Sequence, residues 1–263
     1  MSARTVFKGA INASVLHIGI KLYPTTNSGN DIHFNQLCPD CKVKINQKIV
    51  CPSCEKTLAR GDCLKGYPIA DQFVILTEEE IDKAHSEKTE AISVINFVGQ
   101  EEVDPLYFDQ SYFISPDKPS YELFQVFRQG LIETEKSALG KIVMRSKEHL
   151  LLIKPFEKIL VAYQLHYEED LRKLSEIPES DFPQKALDPE MLKLASQLIT
   201  NLSGKFDPAQ YKDEYRATVM EYVEAKANGI TIAPTPQKAQ AKVTNIMDAL
   251  KNAVSATELK KAA

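Results

Sequence analysis

Residues 139 to 165 read L-G-K-I-V-M-R-S-K-E-H-L-L-L-I-K-P-F-E-K-I-L-V-A-Y-Q-L. Within them Leu139 to Arg145, His149 to Ile153 and Ile159 to Leu165 are three strand-sized apolar runs in close succession. Ser146-Lys147-Glu148 joins the first two, which predicts a hairpin with a basic tip: a phosphate contact or an ordinary solvated turn. Moving outward, the chain after Arg4 also reads as strand, with Ile18, Ile20 and Leu22 on one face and Lys21 on the other, ending at Tyr23-Pro24. Further strands are predicted at Gln72 to Leu76, Ala91 to Val98 and Tyr112 to Ile114. That number and spacing predict a mixed α/β, mainly β chain built on a barrel or a strongly curved sheet.

Two helices interrupt the strands. Thr77-Glu-Glu-Glu80 is a capping box opening a short acidic helix. Ser120 to Glu135 places Leu123, Val126, Phe127 and Leu131 on one stripe. After Ile177-Pro178 and Phe182-Pro183 the pattern turns helical. Asp188-Pro189 is an N-cap with a first-turn proline, and Leu192, Ala195, Ile199 and Leu202 recur before Gly204. Asp207-Pro208 repeats the signal ahead of Tyr211, Tyr215, Val219 and Tyr222, with Gly229 after the end. This segment is an arm or partner surface, or it packs on the barrel. Residues 230 to 242 read as a linker, and Asn245 to Lys261 as a weakly amphipathic docking helix or a frayed tail.

With 263 residues, 43% hydrophobic and 26% charged, the chain has enough apolar mass for one large or two moderate domains. Collagen-like, mucin-like and disordered classes are excluded. No window approaches the ~20 apolar residues of a membrane span, and the N-terminal stretch lacks a secretory apolar core, so the cytosol is the expected compartment. The net charge of -4 hides alternation. Residues 1 to 60 carry eight Lys/Arg against three Asp/Glu, 61 to 110 three against twelve, 117 to 166 eight against six, and 167 to 228 eight against thirteen. The alternation permits a positive concave surface on an acidic body, or simply solvated charge.

Cys38 and Cys41 in CPDC, and Cys51 and Cys54 in CPSC, form a C-x2-C pattern twice within 17 residues. Two turns each offering a thiolate pair complete a tetrahedron, which predicts structural Zn(II) on Cys38, Cys41, Cys51 and Cys54, with Lys42 to Lys48 as a short connecting hairpin. Two redox pairs or two disulfides are the competing readings. Cys63 stands apart as a lone thiol. No phosphate loop, nucleophile elbow, H-E-x-x-H or K-x-D-G motif occurs, and His149 sits among leucines, so no catalytic residue is assigned and an enzyme is not expected.

Several segments together resemble the bacterial Ku family. They are Arg4 to Gly9 with Ile18 to Tyr23, Lys65-Gly66-Tyr67, Leu76 to Glu80, Asn96 to Val98 through Asp104 to Phe108, Tyr112 to Lys118, and Arg145 with Glu148-His-Leu150. The match resumes in Leu202 to Pro208, Tyr211 to Arg216, Glu224 to Lys226 and Met247 to Leu250. Phe7 stands where tryptophan is common, Ala13-Ser14 where Phe-Gly is common and Gly19 where proline is common, and the tail has five lysines without a Lys-rich repeat. The four cysteines occur in only part of the family, so zinc here rests on metal chemistry.

The resemblance implies a Ku-type β-barrel with a helical arm and a flexible C-terminal tail, into which the cysteine spacing places an inserted four-cysteine zinc hairpin. It divides the chain into a 1–180 core with a zinc knuckle at 36–56, a 181–229 arm and a 230–263 tail. The implied function is non-enzymatic: a nucleoid-associated homodimeric ring that threads, protects and bridges double-stranded DNA ends. It also implies recruitment of an ATP-dependent DNA ligase D type enzyme for non-homologous end joining. Arg4, Lys8, Lys21, Lys44, Lys48, Arg145, Lys147 and Lys154 are assigned to phosphate, and Tyr211, Tyr215, Arg216, Met247 and Leu250 to the ligase. The alternatives are a zinc-ribbon nucleic-acid-binding regulator without a ring and a metal-dependent nuclease.

Overall fold

The computed structural model describes residues 3–27, 29, 31–84, 90–144, 147–183, 185–230 and 246–261. Seven strands build the sheet: β1 (Phe7–Ala13), β2 (Leu16–Pro24), and, after a long insertion, the set that closes on them; β2 alternates apolar-in and polar-out, whereas β10 and β11 each bury three consecutive residues. The insertion holds β3 (Ile49–Val50), β4 (Thr57–Leu58), β5 (Lys65–Ile69), β6 (Gln72–Leu76) and helix α1 (Glu78–Ala84). Then come β7 (Ala91–Gly99), β8 (Phe108–Pro116), helix α2 (Tyr121–Glu133), β9 (Lys136–Met144), β10 (Lys147–Phe156) and β11 (Ile159–Leu165). Hydrogen bonding runs β1-β2-β8-β11-β10-β9-β7 as a closed barrel, sealed by a parallel pairing of β1 with β7 at Ile11 and Ile92. Closure removes the unpaired edges that an open sheet exposes to other chains.

The inward positions are Ile11, Ile18, Ile20, Leu22, Ile92, Ile114, Ile142, Leu151, Ile153 and Leu160, all fully buried or nearly so. Each such side chain contributes about 1.5–3 kcal/mol of burial free energy against the entropy of ordering it. Two glycines allow the seam to close. A Cβ on Gly9 would strike the Glu90 carbonyl oxygen, which accepts from the Ala10 N–H at 3.0 Å. A Cβ on Gly140 would stand 2.9 Å from the Ser93 carbonyl oxygen, next to the bulge between Val94 and Asn96 in β7.

The structure corrects three local expectations. The β9–β10 turn is tighter than Ser146-Lys147-Glu148: Lys147 already pairs with Met144 and Glu148 with Val143. In α2 the buried apolar residues are Phe124 and Leu131, whereas Val126 is 64% exposed. The helix buries the face that meets β9 and β10: Leu123, Phe127 and Leu131 of the expected stripe pack on the core, and only Val126 is replaced there, by Phe124. Tyr112 to Ile114 proves to be the middle of a nine-residue strand preceded by a 3-10 turn, in which Asp104 accepts from the Leu106 N–H at 2.8 Å. The predicted capping box is formed: the Thr77 N–H and hydroxyl donate to Glu80 at 2.9 Å each, and the Glu80 N–H donates back to the Thr77 hydroxyl at 3.2 Å.

Compact units divide at Ile177/Pro178. The second contains α3 (Pro189–Leu202), α4 (Glu214–Ala227) and α5 (Ile246–Lys261). Asp188 caps α3 as predicted, accepting from the Glu190 and Met191 N–H groups. Asp207-Pro208 opens only a 3-10 turn; α4 starts at Glu214 behind its N-cap Asp213, whose carboxylate accepts from the Arg216 N–H at 2.9 Å, so Tyr211 lies ahead of the helix. Gly229, at φ 74, ends α4 with Ile230 N–H donating to Ala225 O and Gly229 N–H to Lys226 O. α5 lies along α3 in the same direction, tied by Lys251–Glu190 at 3.5 Å and by Asn201 donating to Thr257 at 3.3 Å, with Val254 buried. Apart from Ile230, the 230–242 linker falls outside the described residues; among the described residues no helix is long and apolar enough to cross a membrane.

Candidate nucleic-acid interface

The two cysteine pairs fold into the same local structure. In the first, the Cys38 N–H donates to Val43 O at 2.9 Å and the Lys42 N–H to Cys38 O at 3.0 Å, with Lys42 at φ 57. In the second, the Cys51 N–H donates to Lys56 O at 3.0 Å and the Glu55 N–H to Cys51 O at 2.9 Å, with Glu55 at φ 56. Backbone N–H groups of Cys41 and Asp40 stabilise the Cys38 thiolate and lower its pKa, and those of Cys54 and Ser53 do the same for Cys51. Each turn is thus preorganised to present sulfur as an anion. All five cysteines are free thiols, and among the described residues no three His, Cys, Asp or Glu side chains converge on one metal position. Expected convergence of the four sulfurs is therefore not formed here, although each half is.

The link between the turns also differs from the expected hairpin. The first turn closes a small bridge between Leu37 and Lys44, extended by the Ile45 N–H donating to Gln36 O at 3.1 Å, the second closes β3 against β4, and residues 46 to 48 lie between them outside any strand.

Of the eight assigned cations, Lys8 and Lys21 are directly opposite one another on β1 and β2. Lys8 is exposed; Lys21 is ion-paired to Asp117 at 3.0 Å, whose hydrogen bond and charge raise the ammonium pKa. Lys154 donates to the Gln100 carbonyl at 2.6 Å and stands 5.7 Å over the Phe108 ring. Arg4, Lys44, Lys48 and Lys147 are exposed, and Arg145 lies outside the described residues. β10, which carries Lys147 and Lys154, is separated from β2 by β8 and β11, so these two lysines lie apart from the Lys8–Lys21 pair. Near Lys147, Glu148 accepts from Lys141 at 2.8 Å and from the Tyr167 hydroxyl at 3.0 Å. Those partners lower the Glu148 pKa, while burial and the Glu148 carboxylate push Tyr167 up to about 12.

Of the assigned ligase residues, Tyr211 and Tyr215 are 69% and 73% exposed, and Tyr211 stacks on Phe206 with centroids 5.6 Å apart. Arg216, Met247 and Leu250 are half-buried. The sequence reading missed the β5–β6 hairpin as a surface. Lys65↔Leu76, Tyr67↔Val74 and Ile69↔Gln72 share one face, Gly66↔Ile75 and Pro68↔Phe73 the other, and both are exposed, with Phe73 at 74%. Apolar residues in two consecutive phases of a strand were the available signal.

A family model described as Ku70/Ku80 beta-barrel domain matches residues 12–194. The chain belongs to the Ku family. It is 30% identical, over 98% of its length and 89% of the relative, to the Non-homologous end joining protein Ku of Desulfitobacterium hafniense. The Bacillus subtilis protein of the same name is 32% identical over 96% of this chain and 82% of its own, and that of Archaeoglobus fulgidus 30% over 97% and 100%. The family match runs through the segment between β2 and β7 as well as through strands β2 to β11 of the barrel.

Proposed function

We propose that this chain binds double-stranded DNA ends without regard to sequence, as a homodimeric ring that threads, protects and bridges them in non-homologous end joining. The β5–β6 hairpin is the observation that carries the ring: its two apolar faces are open within one copy, and a two-stranded sheet alone is marginal in water. A second copy covers it. Phosphate contacts of Arg4, Lys8, Lys44, Lys48 and Lys147 supply affinity that is blind to base sequence and falls with salt. Lys21 and Lys154 act mainly within the fold, through Asp117 and Gln100. Threading supplies end selectivity, because a closed loop is entered only from a terminus.

Cys38, Cys41, Cys51 and Cys54 hold a structural zinc ion, for which the donor set and the thiolate-stabilising turns are suited; the ion supplies on the order of 10 kcal/mol to a segment without a core. The second unit, through Tyr211, Tyr215 and Arg216 with Met247 and Leu250 on α5, docks an ATP-dependent DNA ligase. The protein performs no chemistry itself and works in the cytoplasm at the nucleoid. Competition between blunt linear duplex and a covalently closed circle of the same sequence tests the ring: the linear form must win. Equal retention of both forms, or a monomeric mass under native conditions, sinks the reading.

A further inference from the structure

Where β9 passes to β10, a cavity of about 390 Å³ opens between the start of β1, the start of β8 and the end of β11. Phe7 and Met144 give it apolar walls; Gln110, Tyr112, Gln164 and Lys147 contribute polar groups. Among the described lining residues Lys147 is the one lysine, with His149 also in the lining, while the Asp109 carboxylate is bonded to Gln164, so an anionic group would be placed at Lys147. The two amides are preset. The Tyr112 hydroxyl donates to Gln110 Oε1 at 2.8 Å, which leaves the Gln110 amide nitrogen as a donor. Gln164 donates one amide N–H to Asp109 at 2.8 Å, which fixes the amide with its oxygen as an acceptor. A neighbouring donor and acceptor beside an aromatic wall match the edge and face of a heterocyclic base, and the volume is within the ~300–1,000 Å³ range of small-molecule sites. A bare inorganic anion would use neither the amides nor the apolar walls.

We propose that this cavity binds one nucleotide, with its base between Phe7 and Met144, its edge on Gln110 and Gln164, and its phosphate against Lys147. The source is either a free mononucleotide or the last unpaired nucleotide of a DNA end. This goes beyond sequence-independent end binding, which needs no room for a base.

Full-length protein labelled at methionine methyls is titrated with deoxyadenosine monophosphate to about 10 mM, the weak end for so small a ligand. Matched duplexes with blunt ends or one unpaired 3′ nucleotide are compared in parallel. The expected result is a saturable Met144 shift whose affinity falls roughly tenfold in Gln110→Leu, while blunt-duplex binding by that variant stays within about twofold. An overhang preference that Gln110→Leu erases identifies the DNA end as the source; a Met144 shift without such a preference identifies the free nucleotide. No Met144 shift, with overhang and blunt ends bound alike or with a preference that survives Gln110→Leu, overturns the proposal. Loss of blunt-duplex binding strikes the end-binding reading alone, because the mononucleotide titration does not depend on it.

Discussion

Phe124 is 1% exposed and Val126 64% exposed, although both lie in the apolar part of α2. Truncating the first leaves a hole among Leu131, Ile142 and the inner barrel residues, so Phe124→Ala should cost about 3–5 kcal/mol in denaturant unfolding. Val126→Ala should stay near roughly 0.5 kcal/mol, as surface changes do; comparable losses would refute the placement of the helix. At Tyr167 a pH signature follows from its pKa of about 12 against an unfolded value near 10. The folded state holds the phenol proton more tightly, so its contribution is complete below pH ~10 and is lost as pH rises through the folded value. Glu148 has the opposite sign: its pKa is lowered, so its stabilisation is present above about pH 4.3 and fades as pH falls through the folded value. Ultraviolet difference titration should resolve one late-ionising tyrosine, and Glu148→Gln should move it back toward 10. A single uniform tyrosine transition would exclude this network.

Among the elements, the cysteine turns and α5 depend on different things. The turns have few buried apolar neighbours and are kept by their own hydrogen bonds, so a metal ion is their main external support. Chelation should release amide protection at Cys38 and Cys51 while leaving β9 and β10 protected in hydrogen exchange; equal protection with and without chelator would argue against zinc. α5 is held by α3. Removing residues 246–263 uncovers the face of α3 that meets Val254 and Thr257, and should lower the melting temperature of the second unit without altering that of the barrel.

For the whole molecule the quantity that controls the proposed end binding is charge that reaches DNA. Replacing both Lys44 and Lys48 with Gln should weaken every duplex equally and reduce the slope of log affinity against log salt by about 1 per lysine that neutralises a phosphate. Lys21→Gln should change the slope far less, since its ammonium is already committed to Asp117. A double variant with sequence-dependent losses would point to base reading by the cysteine segment instead.

Strand positions, the Thr77 capping box and the Asp188 cap were legible in the sequence because each is written by residues close together: alternation for a sheet face, a side-chain acceptor a few residues before a helix. The cysteine spacing likewise specified two identical turns. Only the tertiary structure decided that β1 closes on β7, that Phe124 rather than Val126 is buried, that Lys21 and Lys154 are engaged, and that Gln110, Gln164 and Lys147 share a cavity. Those outcomes join residues far apart in the chain, and long-range pairing is set by which faces bury together after the barrel closes, information that no local spacing carries.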